Sequence, residues 1–278
     1  SQLCDELGIL LWEEIPVYWN INWSNAETKN DATAMLTQMI HRDWNRASVI
    51  IWSIGNETPF SDERMDFMID LKQTAYGLDS SRLISAALLS GSVEQFRSLT
   101  YFLAKEGLKH NFVSNNEKGI FKQIVAQLEP LYGSMDTFKI NIKDPLAEHL
   151  DVIAYNEYFG WYYTSFIVDQ LGVEESTLRK LMFKLMPSIK IESQYKKPIH
   201  LSEFGAGAKR NYKADGGIWS EEYQEDVYRH QLEMIQSNDQ IQGLSPWILK
   251  DFRSMMRPLA DVQDFYNRKG LVDEDGKK

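Results

Sequence analysis

Ser48–Pro59 reads SVIIWSIGNETP, and its first seven residues decide what kind of fold the chain can adopt. Val49, Ile50 and Ile51 are β-branched, and Trp52 and Ile54 follow with only Ser53 between them. Side chains alternate faces along a strand, so this run is apolar on both faces. Strands of that kind belong to parallel sheets covered by helices on each side. The run stops at Gly55-Asn56-Glu57, which puts an amide and a carboxylate at the C-terminal end of a strand.

The same pattern repeats outward. Upstream, Gly8–Glu13 is a strand that ends in carboxylates and is preceded by the tail of a helix, Leu3–Leu7. Asn30 or Asp31 then caps a helix through Met35, Leu36, Met39, Ile40 and Trp44, spaced at the helical period. Downstream, Ser61 caps a helix that Gly77 stops, and Arg82–Ala87 is the next strand. Leu150–Asn156, Pro198–Glu203 and Gly243–Trp247 supply three more strands, with helices over Glu174–Met186 and from Ser220 to Ile235. Strands alternating with helices predict an α/β protein of six strand–helix units. Either an open doubly wound sheet or part of a barrel fits that count. No glycine-rich phosphate loop follows any strand. Polar residues recur at strand ends (Glu13, Glu57, Asn156, Glu203), where barrel enzymes build their sites.

The stretch Ser90–Thr137 is too long for a strand–helix connection. Phe96, Leu99, Phe102 and Leu103, then Phe121, Ile124, Val125 and Leu128, predict two amphipathic helices around the polar Ser114–Lys118. They read as a helical insertion packed on the barrel, or as a rim that shapes the site. Composition narrows the partners. With 30 Lys+Arg against 40 Asp+Glu, the net charge is −10, which opposes nucleic-acid binding. Cys4 is the one cysteine, so neither a disulfide framework nor a thiolate metal site is expected. The histidines (His41, His110, His149, His200, His230) show no i, i+4 pairing, and no metal or cofactor is expected. His200 is expected in the core. No apolar run reaches the ~18 residues of a membrane span. The chain starts in mid-element, so it reads as a fragment with any targeting signal upstream. The expected setting is a soluble protein of a bacterial periplasm or cytoplasm.

Glu57 and Glu203 each end a strand, and side chains leaving parallel barrel strands converge on one mouth. Two carboxyl groups about 5–5.5 Å apart are what retaining glycoside hydrolysis requires. One protonates the leaving oxygen while the other attacks the anomeric carbon.

Several segments in the right order carry a family likeness. Ser48–Pro59, the run Asn156-Glu157-Tyr158-Phe159-Gly160-Trp161-Tyr162, Pro198–Gly207 (PIHLSEFGAG) and Trp247–Gly270 resemble the catalytic barrel of glycoside hydrolase family 2. That family includes β-glucuronidases, β-galactosidases and β-mannosidases. The resemblance spans nearly all of the chain outside Ser90–Thr137. It implies a (β/α)8 TIM barrel from which the first two strand–helix units and the upstream β-sandwich domains are missing. It also implies Glu57 as acid/base, Glu203 as nucleophile and Asn56 as the partner of the sugar 2-hydroxyl. Asn156, Tyr158 and Tyr162 match the motif that lines the pocket and holds the nucleophile, and Trp247 matches the aromatic on which the sugar packs. Phe159 and Trp161 are expected in the core, and Glu13 and Glu14 at the mouth or in a structural ion pair.

Asn267-Arg268-Lys269-Gly270 has the Asn-x-Lys pattern that in the resembling β-glucuronidases grips the glucuronate carboxylate. The competing reading is a solvated basic turn. Ser245–Phe252 departs from the Trp-Asn-Phe-Ala-Asp-Phe usual in β-glucuronidases. The expectation is a retaining exo-β-glycosidase acting on β-glucuronides, with β-galactosides as the runner-up. A catalytically inert, carbohydrate-binding piece is the alternative of another class. Carbohydrate is the expected partner, and two unpaired barrel edges invite self-association.

Overall fold

The structure, a computed structural model, describes residues 1–89, 92–162, 164, 167 and 171–277. In chain order the elements are α1 (Gln2–Leu7), β1 (Leu11–Glu14), α2 (Ala26–Asp43), β2 (Val49–Asn56), α3 (Asp62–Leu78), β3 (Leu83–Leu88), α4 (Val93–Gly107) and α5 (Asn115–Tyr132). They continue with β4 (Lys139–Ile142), α6 (Leu146–His149), β5 (Ile153–Asn156), α7 (Glu175–Leu185), β6 (Lys190–Ser193), β7 (Ile199–Glu203), α8 (Glu221–Gln236), β8 (Ile241–Leu244), β9 (Phe252–Arg253) and β10 (Tyr266–Asn267).

Six strands form one sheet in the order β1-β2-β3-β5-β7-β8, and the β1/β2, β2/β3 and β3/β5 pairs are parallel. This order follows the chain without reversing. A doubly wound sheet must reverse at a switch point, so of the two architectures compatible with six strand–helix units the barrel order is the one present. Two short sheets, β4-β6 and β9-β10, lie outside that pattern and carried no sequence signal. The first two residues of the stretch read as an insertion, 90 and 91, fall outside the described residues.

The chain divides into two compact units. The first comprises Ser1–Ser90, Asn141–Asn156 and Ser193–His200. Its centre is β2, where Trp52 and Ile54 are fully buried with Leu36 and Ile40 of α2 and Phe67, Met68 and Leu71 of α3. The cap of α2 differs from the expected one. Asn25, not Asn30 or Asp31, accepts hydrogen bonds from the amides of Glu27 (2.7 Å) and Thr28 (3.1 Å), because its extended backbone leaves the side chain free to fold back. Gly77 lies inside α3, which ends one residue later. Buried Arg64 of α3 donates to Thr58 (2.9 Å) and grips Asp144 with both guanidinium nitrogens (2.9 Å each). That fork secures the loop immediately after Glu57. At the other end of β2, Trp52 and Arg82 donate to Asp79. Burial alone would raise the Asp79 carboxyl, but donors from Ser81, Arg82 and Trp52 hold it at about 2.

The second unit comprises Gly91–Ile140, Glu157–Glu192 and Leu201–Lys278. Ser92 and Ser114 begin α4 and α5 with reciprocal caps, closed by Gln95 and Glu117. Leu99, Phe102 and Leu103 of α4 are buried, as is Phe121 of α5. A side chain at Gly107 would collide with Phe121, so glycine there lets the two helices approach closely. Ile124, Val125 and Leu128 are only half-buried. The core under the site is aromatic: Tyr158, Trp161, Tyr223 and Val227 with Phe183, Trp219 and Trp247 against them. Asp273 is buried, pairs with Arg210 at 2.5 Å and accepts from the amides of Asp275 and Lys277.

Candidate active site

In the first unit the chemistry collects at the end of β2. Glu57 has φ = 50°, in the left-handed region that costs a non-glycine residue of order 1–3 kcal/mol. Its amide donates to the Ala87 carbonyl at 2.8 Å, which holds the conformation at the end of β3. Asn156, at the end of β5, donates from its amide nitrogen to Asn56 Oδ1 (3.0 Å) and to Glu57 Oε1 (3.1 Å). The structure therefore brings Asn56, Glu57 and Asn156 together from two strands. The other carboxylate oxygen, Oε2, accepts from the indole of Trp19 at 2.9 Å.

The sequence reading passed over Trp19, although Pro16-Val17-Tyr18-Trp19 places two aromatics just beyond a strand that ends in carboxylates. The segment is zipped to β2: the Asn56 amide donates to the Val17 carbonyl (2.8 Å) and the Trp19 amide to the Asn56 carbonyl (3.2 Å). Of the strand-end pair before it, Glu13 meets Arg42 at 3.5 Å and Glu14 accepts from the Ser53 hydroxyl at 2.6 Å. His200 is not the core residue expected. It is half-buried and tilted against Trp12 with ring centroids 5.4 Å apart, and burial lowers its pKa.

In the second unit Glu203 ends β7, and its Oε2 accepts from the Tyr158 hydroxyl at 2.5 Å. The turn after it depends on Gly205, whose φ of 126° suits glycine and whose missing side chain leaves room for Tyr228. Tyr158 also presents its ring to Lys269, whose ammonium lies 4.4 Å from the ring centroids of both Tyr158 and Tyr162. Lys269 donates to the Tyr162 hydroxyl at 2.5 Å. Only 6% of Lys269 is exposed, so the solvated basic turn is excluded. Among the described residues no carboxylate lies within 4.0 Å of its ammonium. Burial pulls its pKa below the ordinary lysine value, against the opposing pull of Tyr162 and Glu203.

The Asn267–Gly270 turn is locked from beneath. Asp251 accepts from the Gly270 amide (2.7 Å), Gln224 donates to the Gly270 carbonyl (3.1 Å), and Asn267 Oδ1 accepts from the Lys269 amide (3.2 Å). Asp251 lies in the Ser245–Phe252 stretch that departs from the usual pattern, and it still does this anchoring. Trp247 is half-buried, packs on the aromatic core and donates its amide to Phe204 at 2.9 Å; the Trp247–Ile248 peptide is cis. Phe159 and Trp161 are buried, and Trp161 also lines a cavity of ≈ 190 Å³ beside Lys269. That cavity is bounded by Arg257, Arg268 and Lys269 together with aromatic and amide side chains and Ile218, and among the described residues no acidic one lines it. Arg268 is neutralised by Asp251 and Glu274, whereas among the described residues the Arg257 side chain reaches the Tyr162 hydroxyl, at 3.5 Å. Arg257 and Glu157 lie in segments that carry the family likeness, but no role was expected of either; Glu157 is fully buried between Asn156 and Tyr158.

Among the described residues no group of three or more His, Cys, Asp and Glu side chains could hold a metal ion. No described helix is long and apolar enough to cross a membrane.

The first unit thus holds a strand-end carboxylate between amide and indole donors, and the second holds a strand-end carboxylate on a phenol and a buried lysine in an aromatic cavity; carboxylates so held suit the cleavage of glycosidic bonds. The comparisons with known proteins agree. The chain belongs to glycosyl hydrolase family 2 as its TIM barrel domain, with residues 1–275 matching the family. It is 26% identical over 284 residues to a putative beta-glucuronidase of Formosa agariphila, a match that covers 98% of this chain and 29% of that protein. A beta-galactosidase of Thermoanaerobacterium thermosulfurigenes is 40% identical over 80 residues, 28% of this chain and 10% of its own length. Among solved structures, a GH2 beta-galacturonidase from Eisenbergiella tayi bound to galacturonate superimposes with a TM-score of 0.66 at 23% identity, over 99% of this chain and 39% of that one. The chain thus spans 29% of the putative beta-glucuronidase and 39% of the beta-galacturonidase chain.

Proposed function

We propose that this chain is the catalytic part of a retaining exo-β-glycosidase that hydrolyses β-glucuronides. Glu203 attacks the anomeric carbon as the glycosidic C–O bond breaks, and Glu57 gives its proton to the departing oxygen. Glu57 then takes a proton from water, which attacks the same carbon and releases Glu203. The Tyr158 hydroxyl steadies the nucleophile, and Asn156 orients Glu57. Asn56 meets the sugar 2-hydroxyl, Trp247 carries the sugar ring, and Asn267 and Lys269 hold the sugar carboxylate. Tyr162 keeps the Lys269 ammonium aimed. The α4–α5 pair is an insertion into a barrel whose first two strand–helix units precede this chain.

The observation that carries the reading is Lys269: a buried cation without a carboxylate partner among the described residues, in a cavity lined by cations and no anions. A buried ammonium that meets a phenol hydroxyl and two ring faces is only partly compensated, and a chain of net charge −10 has acidic groups to spare. Such a site gains by taking an anionic ligand, and a neutral galactoside would not supply one. The relative named as a beta-galactosidase keeps the neutral sugar as the second reading.

A panel of aryl β-glucuronides, β-galacturonides and β-galactosides, run on the full-length protein, tests this directly. Glucuronide turnover should dominate, and Lys269→Ala should cut it roughly 10- to 100-fold, as expected for a lost charge-assisted hydrogen bond. Equal losses on glucuronide and galactoside would reject the carboxylate grip. Glu203→Gln should abolish turnover, while Glu57→Gln should spare substrates whose leaving group needs no proton; full activity of both would reject the two-carboxylate mechanism.

A further inference from the structure

The first unit carries an exposed aromatic pair that none of the roles above uses. Tyr18 and Trp19 are 44% and 45% exposed. Their rings stack on each other, with centroids 4.5 Å apart and an interplanar angle of 26°. The pair is built rather than loose. Its backbone is zipped to the end of β2, including a bridge between Tyr18 and Asn56. Trp19 is held at φ = 56°, a region that bulky residues avoid unless the surroundings impose it.

The placement relative to Glu57 gives the pair a meaning. The two carboxylate oxygens of Glu57 face different neighbours: Oε1 the amide of Asn156, which also holds Asn56, and Oε2 the indole of Trp19. Asn56 and Asn156 mark the side assigned to the sugar. An acid that protonates a glycosidic oxygen sits between the sugar and the leaving group, within hydrogen-bond reach of that oxygen. The leaving group therefore begins on the other side of Glu57, where Trp19 stands. We propose that Tyr18 and Trp19 form the binding platform for the leaving group, and that it takes planar aromatic aglycones.

An exposed indole and phenol offer flat apolar faces with a small entropic cost of ordering, and a planar ring stacking on them gains beyond simple burial. Short alkyl leaving groups cannot make that contact. Because Trp19 also holds Glu57, the same indole aligns the acid with the group that it must protonate. The inference rests on the reading of Glu57 as the acid, and the experiment separates the two.

Binding is measured by calorimetry on the full-length protein with two S-linked glucuronides that resist hydrolysis, one carrying 2-naphthylmethyl and one carrying methyl. The wild type should bind the naphthylmethyl compound more tightly. In Tyr18→Leu the ratio of the two dissociation constants should narrow about 5- to 10-fold, while Tyr18→Phe should keep it. Tyr18 is chosen because the indole that donates to Glu57 belongs to Trp19. An unchanged ratio in Tyr18→Leu, or the same narrowing in Tyr18→Phe, would overturn the platform. These ratios do not depend on turnover, so they judge the platform even if Glu57→Gln shows that Glu57 is not the acid.

Discussion

Glu157 offers a test in which sign and size both follow from burial. Its side chain is completely enclosed, its Oε1 accepts from the Phe159 amide, and its Oε2 has no hydrogen-bond partner among the described residues. Burial penalises the charged form and lifts the carboxyl from 4.5 to about 8, against the smaller opposing effect of the Phe159 amide. In the unfolded chain the group keeps its ordinary value. Between pH 4.5 and about 8 the folded protein therefore holds a proton that the unfolded chain has released. Stability falls as pH rises whenever the folded state binds more protons. The contribution is whole below pH 4.5 and is lost by about pH 8. At about 1.4 kcal/mol per pH unit over a window of about 3.5 units, the loss is roughly 5 kcal/mol.

The perturbation is Glu157→Gln, which keeps the shape and removes the ionisation. Urea unfolding followed by tryptophan fluorescence at several values between pH 4.5 and 8.5 measures both proteins. Every other titrating group is common to the two, so the difference between their pH curves isolates Glu157. The wild type should lose stability relative to the variant by several kcal/mol as pH rises through this window. Parallel curves would refute the reasoning and mean that Glu157 is ionised in the folded protein. The result bears on function because the Glu157 amide donates to the Glu203 carbonyl at 2.8 Å, and its chain neighbours are Asn156 and Tyr158.

Two further outcomes are expected. Tyr158→Phe removes the donor 2.5 Å from Glu203 and, on the proposed mechanism, should lower kcat about 100-fold with little change in KM; unchanged kcat in steady-state kinetics would remove Tyr158 from the support of Glu203. Asn25→Ala removes the two cap hydrogen bonds of α2 and should cost about 1 kcal/mol, read as a lower denaturation midpoint; no shift would show that water replaces the cap.

The strand–helix alternation was legible because it is written locally. Val49–Ile54 is apolar on both faces whatever surrounds it, and Ser61 and Ser220 cap their helices through atoms only a few residues away. The same locality explains the errors. Asn25, Asn30 and Asp31 are all competent caps, and the backbone conformation, which composition does not encode, selects Asn25. The two-residue strands β9 and β10 pair across a turn and are too short for a hydrophobic period to register.

Sequence alone therefore determined the elements, the glutamates at strand ends and, through several motifs in order, the family. Tertiary structure decided what those residues touch. Lys269 reads equally as a solvated turn or a buried cation until Tyr158, Tyr162 and Asp251 are packed around it, because solvation is a property of the neighbours and not of the residue. Trp19 and Glu57 stand far apart in sequence, and only the pairing of the Val17–Trp19 segment with β2 sets an indole on a carboxylate oxygen. Strand order is likewise absent from any single strand, since it depends on which backbone groups find each other once the chain folds.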